Sequence, residues 1–389
     1  MRVLQVHNYY QLAGGEDEVV RGEGTILRDG GWQVDLWSVD NAEITSPIAK
    51  AKVALGSSYS MSSRVAMDRK IALTKPDLVH VHNFFPLLTP SIYDACLDAG
   101  VPIVQTLHNY RTICPGGFLF REGNICTDCV GASPFQAVSH KCYRGSRIGT
   151  LAVARMAKKF QKTSLQKNKV NKFIALSDFA KKWFVAGGFP ADRIAVKHNF
   201  TIDLGIPIHP VERGNNALFV GRLSPEKGVG TMLEAWRDLD IPLRIAGEGP
   251  LKEKLEQQSG DNVQFLGQLS RQQLISELRH AMFLVVPSEW YEGPLTIMEA
   301  FACGLPVICS DLGAMQEMVE EGQTGLRFTA GDSKALASRV HWAVENRSEM
   351  ASLGANARKV YERVYTPEAN FKMLTAIYND VLGSDGGEK

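Results

Sequence analysis

The sequence has no excess of charge of either sign: 43 Lys and Arg stand against 42 Asp and Glu, a net of +1 over 389 residues. So close a balance excludes a global field that would draw in nucleic acid or any other polyanion, and electrostatic targeting has to be local. No run of apolar residues reaches the roughly 18 that a membrane span needs. The start, Met1-Arg-Val-Leu-Gln-Val-His7, meets Glu16, Asp17 and Glu18 before any long apolar segment forms, and it has no small-residue cleavage site. The expectation is a cytoplasmic protein, soluble or peripheral on the inner face of the cell membrane. Its seven cysteines are then expected to be reduced. The dinucleotide fingerprint is missing too. Gly247-Glu-Gly249 lacks the third glycine of G-x-G-x-x-G, the Gly14-Gly15 turn does not supply it, and no Walker A sequence occurs.

What is present is alternation. With 44% hydrophobic residues the chain can bury two cores. Short Val/Ile/Leu-rich runs alternate with helical patterns from end to end, the mark of parallel sheets covered by helices on both faces. The first set reads Arg2 to His7, a helix from about Glu16 to Asp29 stopped by Gly30-Gly31, then Gln33 to Val39, Leu78 to His82, Ile103 to Leu107, Phe173 to Leu176 and Ile194 to Lys197. Between Leu204 and Asn216 the pattern lapses. The second set reads Ala217 to Val220, Leu243 to Ala246, Val263 to Leu266, Phe283 to Val286, Pro306 to Cys309 and Leu326 to Phe328. This predicts an α/β chain of two facing, Rossmann-like doubly wound domains, residues 1–205 and 206–365, with a cysteine-rich insertion at about 110–145. A last helix from 366 is expected to return to the first domain before a disordered tail over 383–389. In such folds ligands bind at the carboxyl ends of the strands, so function is expected in those loops.

Phe219-Val-Gly-Arg-Leu-Ser-Pro-Glu-Lys-Gly228 puts Arg222 and Lys227 in the loop after the first strand of the second set, where both cations can converge on one anion. The segment Pro287 to Ile308, Pro-Ser-Glu-Trp-Tyr-Glu-Gly-Pro-Leu-Thr-Ile-Met-Glu and onward, opens a helix, and helix N-termini bind anions. With Ala246-Gly-Glu-Gly-Pro250 and Thr106-Leu-His-Asn109, these segments resemble the large retaining glycosyltransferase family 4, whose fold is the two-domain GT-B arrangement. The resemblance spans almost the whole chain.

It implies a retaining glycosyltransferase acting on a nucleotide diphosphate sugar, either a GDP- or a UDP-sugar. Arg222 and Lys227 match the pair that grips the donor pyrophosphate, and fixed cations there stabilise the charge growing on the departing phosphate without a catalytic metal. Glu299 corresponds to the family's glutamate for the donor ribose. Glu292 corresponds to the one for the transferred sugar, with six residues between the two where the family has seven, and Glu289 is a rival for that role. The resemblance places Gly293, Leu295 and Thr296 against the sugar or diphosphate, His108 near the anomeric centre, and Gly14-Gly15 near the donor phosphates. Glu248 would lie near the ribose or base, and the Leu266 backbone against the base edge. Retention would proceed by a front-face reaction in which the leaving phosphate takes the acceptor proton.

Two features stand outside this pattern. Cys114, Cys126, Cys129 and Cys142 form C-x11-C-x2-C-x12-C in a Gly- and Pro-rich insertion, which fits a structural zinc site; an iron–sulfur cluster is the alternative, and His140 is a spare ligand. From Cys129 to Ser177 there is no Asp or Glu, whereas Lys141, Arg144, Arg147, Arg155, Lys158, Lys159, Lys162, Lys167, Lys169 and Lys172 are all positive. A helix from about Ile148 to Asn168 would carry many of these, with Leu151, Met156, Phe160 and Leu165 for packing or lipid contact. The stretch 141–172 is expected to meet an anionic membrane surface, consistent with a lipid-linked glycan acceptor, and stacking aromatics are too few for nucleic acid. The alternative readings are a sugar-nucleotide epimerase and a non-catalytic membrane-binding scaffold.

Overall fold

The computed structural model describes the chain except residues 12–13, 163–168, 206, 209–211, 291–292 and 385–389, and the side chains of 47, 160–162 and 384. Two compact units emerge: Met1–Arg121, Cys126–Asn199 and Glu368–Lys389 form one, Glu122–Ile125 and Phe200–Pro367 the other.

The first unit is built on a six-stranded sheet of β1 (Arg2–Tyr9), β2 (Gln33–Asp40), β3 (Leu78–Val81), β4 (Ile103–Leu107), β5 (Lys172–Ala175) and β6 (Ile194–Val196) in the order β2-β1-β3-β4-β5-β6. All its neighbours are parallel. Central strands β3 and β4 are buried at every position, as parallel strands covered on both faces must be, whereas edge strand β2 is largely exposed. The helix Gly15–Asp29 starts with a reciprocal cap between Gly14 and Asp17, and Glu16, Asp17 and Glu18 complement the positive end of its dipole. It ends at Gly30, where a β-carbon would lie 2.2 Å from the ring of Phe371. Phe371 belongs to the chain's last helix, Pro367–Ser384, whose Leu374, Ile377, Tyr378 and Val381 pack with Val3, Leu27, Leu78, Val104 and Ile174. The last helix thus completes the core of the first unit, and Lys172 pairs with its Asp380 at 2.8 Å.

The second unit contains β7 (Ala217–Val220), β8 (Leu243–Ala246), β9 (Val263–Gly267), β10 (Phe283–Val286), β11 (Val307–Ser310) and β12 (Gly325–Phe328), all parallel in the order β9-β8-β7-β10-β11-β12. Successive residues point to opposite faces. Phe219 and Phe283 enter the cluster of Trp236, Ile308 and Leu336, while Leu218 and Leu284 enter that of Phe301, Met315 and Tyr361. In each sheet the winding reverses once, between β1 and β3 and between β7 and β10. Ligands of doubly wound sheets bind beyond the strand ends at such points.

Candidate functional site

In the second unit the loops after β7 and β10 meet over the switch point. The β7 loop is tied to the β8 loop by Gly221 N to the Ala246 carbonyl at 3.0 Å and Leu223 N to the Glu248 carbonyl at 2.9 Å. On its other side Gly228 has φ +64°, and a β-carbon there would stand 1.9 Å from the Pro287 carbonyl oxygen, so only glycine lets the β7 and β10 loops touch. Glu289 N donates to the Glu226 carbonyl at 2.9 Å, and Thr231 Oγ1 donates to Glu289 Oε1 at 2.7 Å.

These ties hold Arg222 and Lys227 on one short segment. Lys227 is half-buried with its ammonium 5.6 Å from the Trp290 ring centroid, in cation–π reach. Arg222 is exposed and, among the described residues, makes no ion pair. The helix Leu295–Ala302 follows, with Pro294 at its start providing no side-chain cap; Ile297 N donates to the Pro294 carbonyl at 3.2 Å, and the Leu295 and Thr296 amides have no partner among the described residues. Gly293, Leu295 and Thr296 are half-buried at that helix start.

Other expected donor residues are already engaged. Glu299 is buried and paired with Arg271, which also reaches Thr201 Oγ1 at 3.5 Å. Glu248 accepts from Lys252 at 2.7 Å. Leu266 lies on edge strand β9, beside Gly267, whose carbonyl accepts from Gly247 N at 2.8 Å. Glu289 is part of the loop staple, and Glu292 falls outside the described residues.

In the first unit a small pocket opens beyond β3 and β4, walled by His82, Asn83, Phe85, His108, Asn109 and Arg111 among others. His108 follows β4 directly and is buried; its Nε2 lies 3.1 Å from His82 Nδ1, with the rings stacked at 5.4 Å. Burial, with the fields of His7 and Lys197, pushes the His108 imidazole down to about 3, so it is neutral at physiological pH. Behind it lies a buried polar cluster of Glu23, His80, His82, Lys197 and Tyr378. Gly14 and Gly15 are exposed at the start of the helix Gly15–Asp29.

Sequence reasoning missed the group beside them. Arg111 Nη1 and Asn109 Nδ2 donate to the Tyr10 hydroxyl at 2.7 and 3.2 Å, and Asn83 Nδ2 donates to Glu16 at 3.3 Å. Burial raises the Glu16 carboxyl to about 7, against the opposing pull of Arg111 and His7. The available signal was position, since Tyr10, Asn83, Asn109 and Arg111 follow the carboxyl ends of β1, β3 and β4, at the switch point and beside it.

The four insertion cysteines are unpaired by disulfide. Burial, then the fields of Cys114, Cys142 and Cys126, lifts the Cys129 thiol to about 12. Cys114 Sγ and Cys142 Cβ would lie 3.7 and 3.6 Å from a β-carbon on Gly116. Among the described residues, no three cysteine sulfurs come within 4.8 Å of one another; the set of ligand atoms that does belongs to Glu23, His80 and His82.

The basic stretch forms the helix Arg147–Lys162, and the expected continuation to Asn168, with Leu165 and Lys167, lies outside the described residues, as do the Phe160 and Lys162 side chains. Met156 is fully buried in the first unit and is not offered to lipid. Four of the cations are engaged: Lys169 with Asp94, Lys172 with Asp380, Lys159 with its ammonium 3.9 Å from the Tyr59 ring centroid, and Arg144 5.5 Å from that of Tyr143.

Residues 207–360 match the family described as Glycosyl transferases group 1, and residues 27–202 match Glycosyltransferase Family 4. An uncharacterised glycosyltransferase of Methanocaldococcus jannaschii is 30% identical over 149 residues, 37% of this chain and 42% of that protein, so the match spans less than half of that relative. The phosphatidyl-myo-inositol mannosyltransferase of Mycolicibacterium smegmatis is 25% identical over 409 residues, covering 99% of this chain and 95% of that one. The solved structure of HepE from Anabaena in complex with UDP has the same fold, with a TM-score of 0.68 over 98% of this chain and 100% of that one at 18% identity. No helix among the described residues is long and apolar enough to cross a membrane.

Proposed function

Because the chain has the two-domain α/β GT-B fold and belongs to the group 1 glycosyltransferases of family 4, we propose that it transfers a sugar from a nucleoside diphosphate sugar, with retention of configuration, to a hydroxyl of a lipid-linked glycan. The observation that carries this reading is the pair Arg222 and Lys227 on a loop locked against the β10 loop and next to an uncapped helix start. As the sugar departs, negative charge accumulates on the diphosphate. Cations and amides already in place stabilise that charge more in the transition state than in the ground state, with no reorganisation at the moment of reaction. Glu299 would receive the donor ribose together with Arg271, whose guanidinium already orients that carboxylate. The donor is a GDP- or UDP-sugar.

On the acceptor side, His108 is a neutral imidazole in the wall of the first-unit pocket, and Glu16 titrates near neutrality a few residues from Tyr10. Both suit hydrogen bonding to sugar hydroxyls better than permanent charges would. Peripheral membrane contact is supported by the helices Pro47–Gly56 and Arg147–Lys162, joined by Ser57 Oγ donating to the Ala152 carbonyl at 3.2 Å. They leave Ile48, Leu55 and Ile148 exposed at 82%, 74% and 76% amid Lys and Arg, the composition that favours anionic headgroups. In the insertion, Cys114, Cys126, Cys129 and Cys142 offer the donor set of a structural zinc ion, which would take up as thiolates the three thiols, Cys126, Cys129 and Cys142, that burial raises.

The test is thermal stabilisation by a panel of nucleoside diphosphate sugars, since a ligand present at 100 times its Kd adds about 2.7 kcal/mol. One donor should stabilise the protein and be consumed only when a membrane extract supplies acceptor. Conversion of the donor without acceptor would point to an epimerase, and binding without any turnover to a scaffold.

A further inference from the structure

His82 Nδ1 and His108 Nε2 share one hydrogen bond, so only one of those two nitrogens carries the proton. Which one is decided on the far side of His82. Its Nε2 is buried with no hydrogen-bond partner, and the nearest acid oxygen is Glu23 Oε2 at 3.7 Å, itself buried and without a partner. The other Glu23 oxygen takes Lys197 Nζ at 2.7 Å. His80 lies 3.9 Å from the same Oε2 but spends both of its nitrogens, Nδ1 on the Tyr378 hydroxyl at 2.7 Å and Nε2 on Thr106 Oγ1 at 2.8 Å. His82 is therefore the group left to satisfy Glu23 Oε2.

Two proton arrangements are open to the neutral pair. With the proton on His82 Nδ1, a bare Nε2 lone pair faces a carboxylate oxygen in a dry interior, and two acceptors confront each other unpaired. With the proton on His82 Nε2, that N–H points at the carboxylate, His82 Nδ1 becomes an acceptor, and His108 Nε2 must donate to it. The remaining nitrogen of His108, Nδ1, is then a bare lone pair; it makes no hydrogen bond among the described residues, and His108 belongs to the pocket wall.

We propose that Glu23, acting through His82, is a positioning residue that holds His108 in the Nε2–H tautomer, so that His108 Nδ1 accepts a hydrogen bond from a sugar hydroxyl in the pocket. The assignment rests on the reading of His108 as a substrate-facing group. Lys197 holds the Glu23 carboxylate in place through its 2.7 Å ion pair, and the backbone supports the geometry: His82 N donates to the Val6 carbonyl at 2.9 Å, and Lys197 N to the Ala175 carbonyl at 2.9 Å. A sugar hydroxyl that donates to His108 has its own oxygen made more electron-rich, which suits an attacking hydroxyl or a hydroxyl next to the departing bond. A metal ion on Glu23, His80 and His82 is the competing occupancy; it would have to displace the Tyr378 bond at His80 and sit beside the Lys197 ammonium.

The experiment is nitrogen NMR of the full chain with ring-labelled histidine, assigned with His82→Asn and His108→Asn. In the wild type both rings should be Nε2–H tautomers. Glu23→Gln is near isosteric, and its carbonyl can still accept from Lys197 while its amide turns toward His82. The amide donates where the carboxylate accepted, so His82 and His108 should both switch to Nδ1–H, and kcat should fall by about 10- to 100-fold with the donor KM within about twofold. A wild-type His108 protonated on Nδ1, or an unchanged tautomer in Glu23→Gln, overturns the proposal, as does added zinc shifting the His80 and His82 signals together. The wild-type spectrum decides even if Glu23→Gln fails to fold. If instead the tautomers behave as stated but His108→Ala keeps full turnover, the substrate-facing role of His108 is wrong and the relay stands only as architecture.

Discussion

The buried ion pair of Lys197 and Glu23 offers a sharp physical test, because both side chains are 0% exposed and 2.7 Å apart, joined across 174 residues of sequence. Lys197→Met keeps the length and apolar stem of the side chain and removes only the ammonium. What remains is a carboxylate in a dry interior, with a neutral histidine as its nearest neighbour. Breaking one side of a fully buried pair costs about 3–5 kcal/mol, much of it the penalty of the orphaned charge. For a unit of this size each kcal/mol moves the melting temperature by roughly 2–4 °C, so the first unit should melt about 6–20 °C lower. The double variant Lys197→Met with Glu23→Leu removes both charges and should recover most of that loss. The assay is calorimetry of the full chain, with the two units followed as separate transitions. A single variant within about 0.5 kcal/mol of wild type would refute the reasoning, because losses that small belong to exposed pairs.

Glu16, with its carboxyl raised to about 7, binds its proton more tightly in the folded chain than in the unfolded one, so its contribution to stability is full below about pH 4.5 and is lost as pH rises through 7. Glu16→Gln should flatten the decline in first-unit stability between pH 5 and 8, read by denaturant titration at each pH. Gly228→Ala, which forces a β-carbon onto the Pro287 carbonyl at a left-handed backbone position, should destabilise the second unit by about 1–3 kcal/mol and reduce turnover, measured by melting and initial rates. Replacing Cys126 and Cys129 with Ser should abolish stoichiometric zinc and destabilise the first unit, as read by elemental analysis and melting; metal-free wild-type protein would contradict the zinc assignment.

All twelve strands of the two sheets were legible in the sequence to within a residue or two. Parallel strands such as Ile103–Leu107 and Phe283–Val286 are buried on both faces and therefore read as unbroken apolar runs. The loops that carry Arg222, Lys227 and the Leu295 helix start were also readable, because Gly and Pro punctuate them. Pairings between distant polar groups were not. Nothing local says that Arg271 takes the Glu299 carboxylate, that Arg111 reaches Tyr10, or that Glu23 meets Lys197, since spacing along the chain carries no information about which buried groups face one another. The basic stretch shows the same limit: its segregation is real, and that Lys169 and Lys172 find their acids in Asp94 and Asp380, outside the segment, could not be read from it.

The central claim is that a cation fixed on the β7 loop stabilises a departing diphosphate. Steady-state transfer by Lys227→Ala, with the preferred nucleoside diphosphate sugar and a membrane acceptor, measures this most directly. The account expects an unchanged melting temperature and a turnover about 10²–10³-fold lower, comparable to the loss of one preorganised oxyanion donor. A folded variant that transfers sugar at close to the wild-type rate would contradict it.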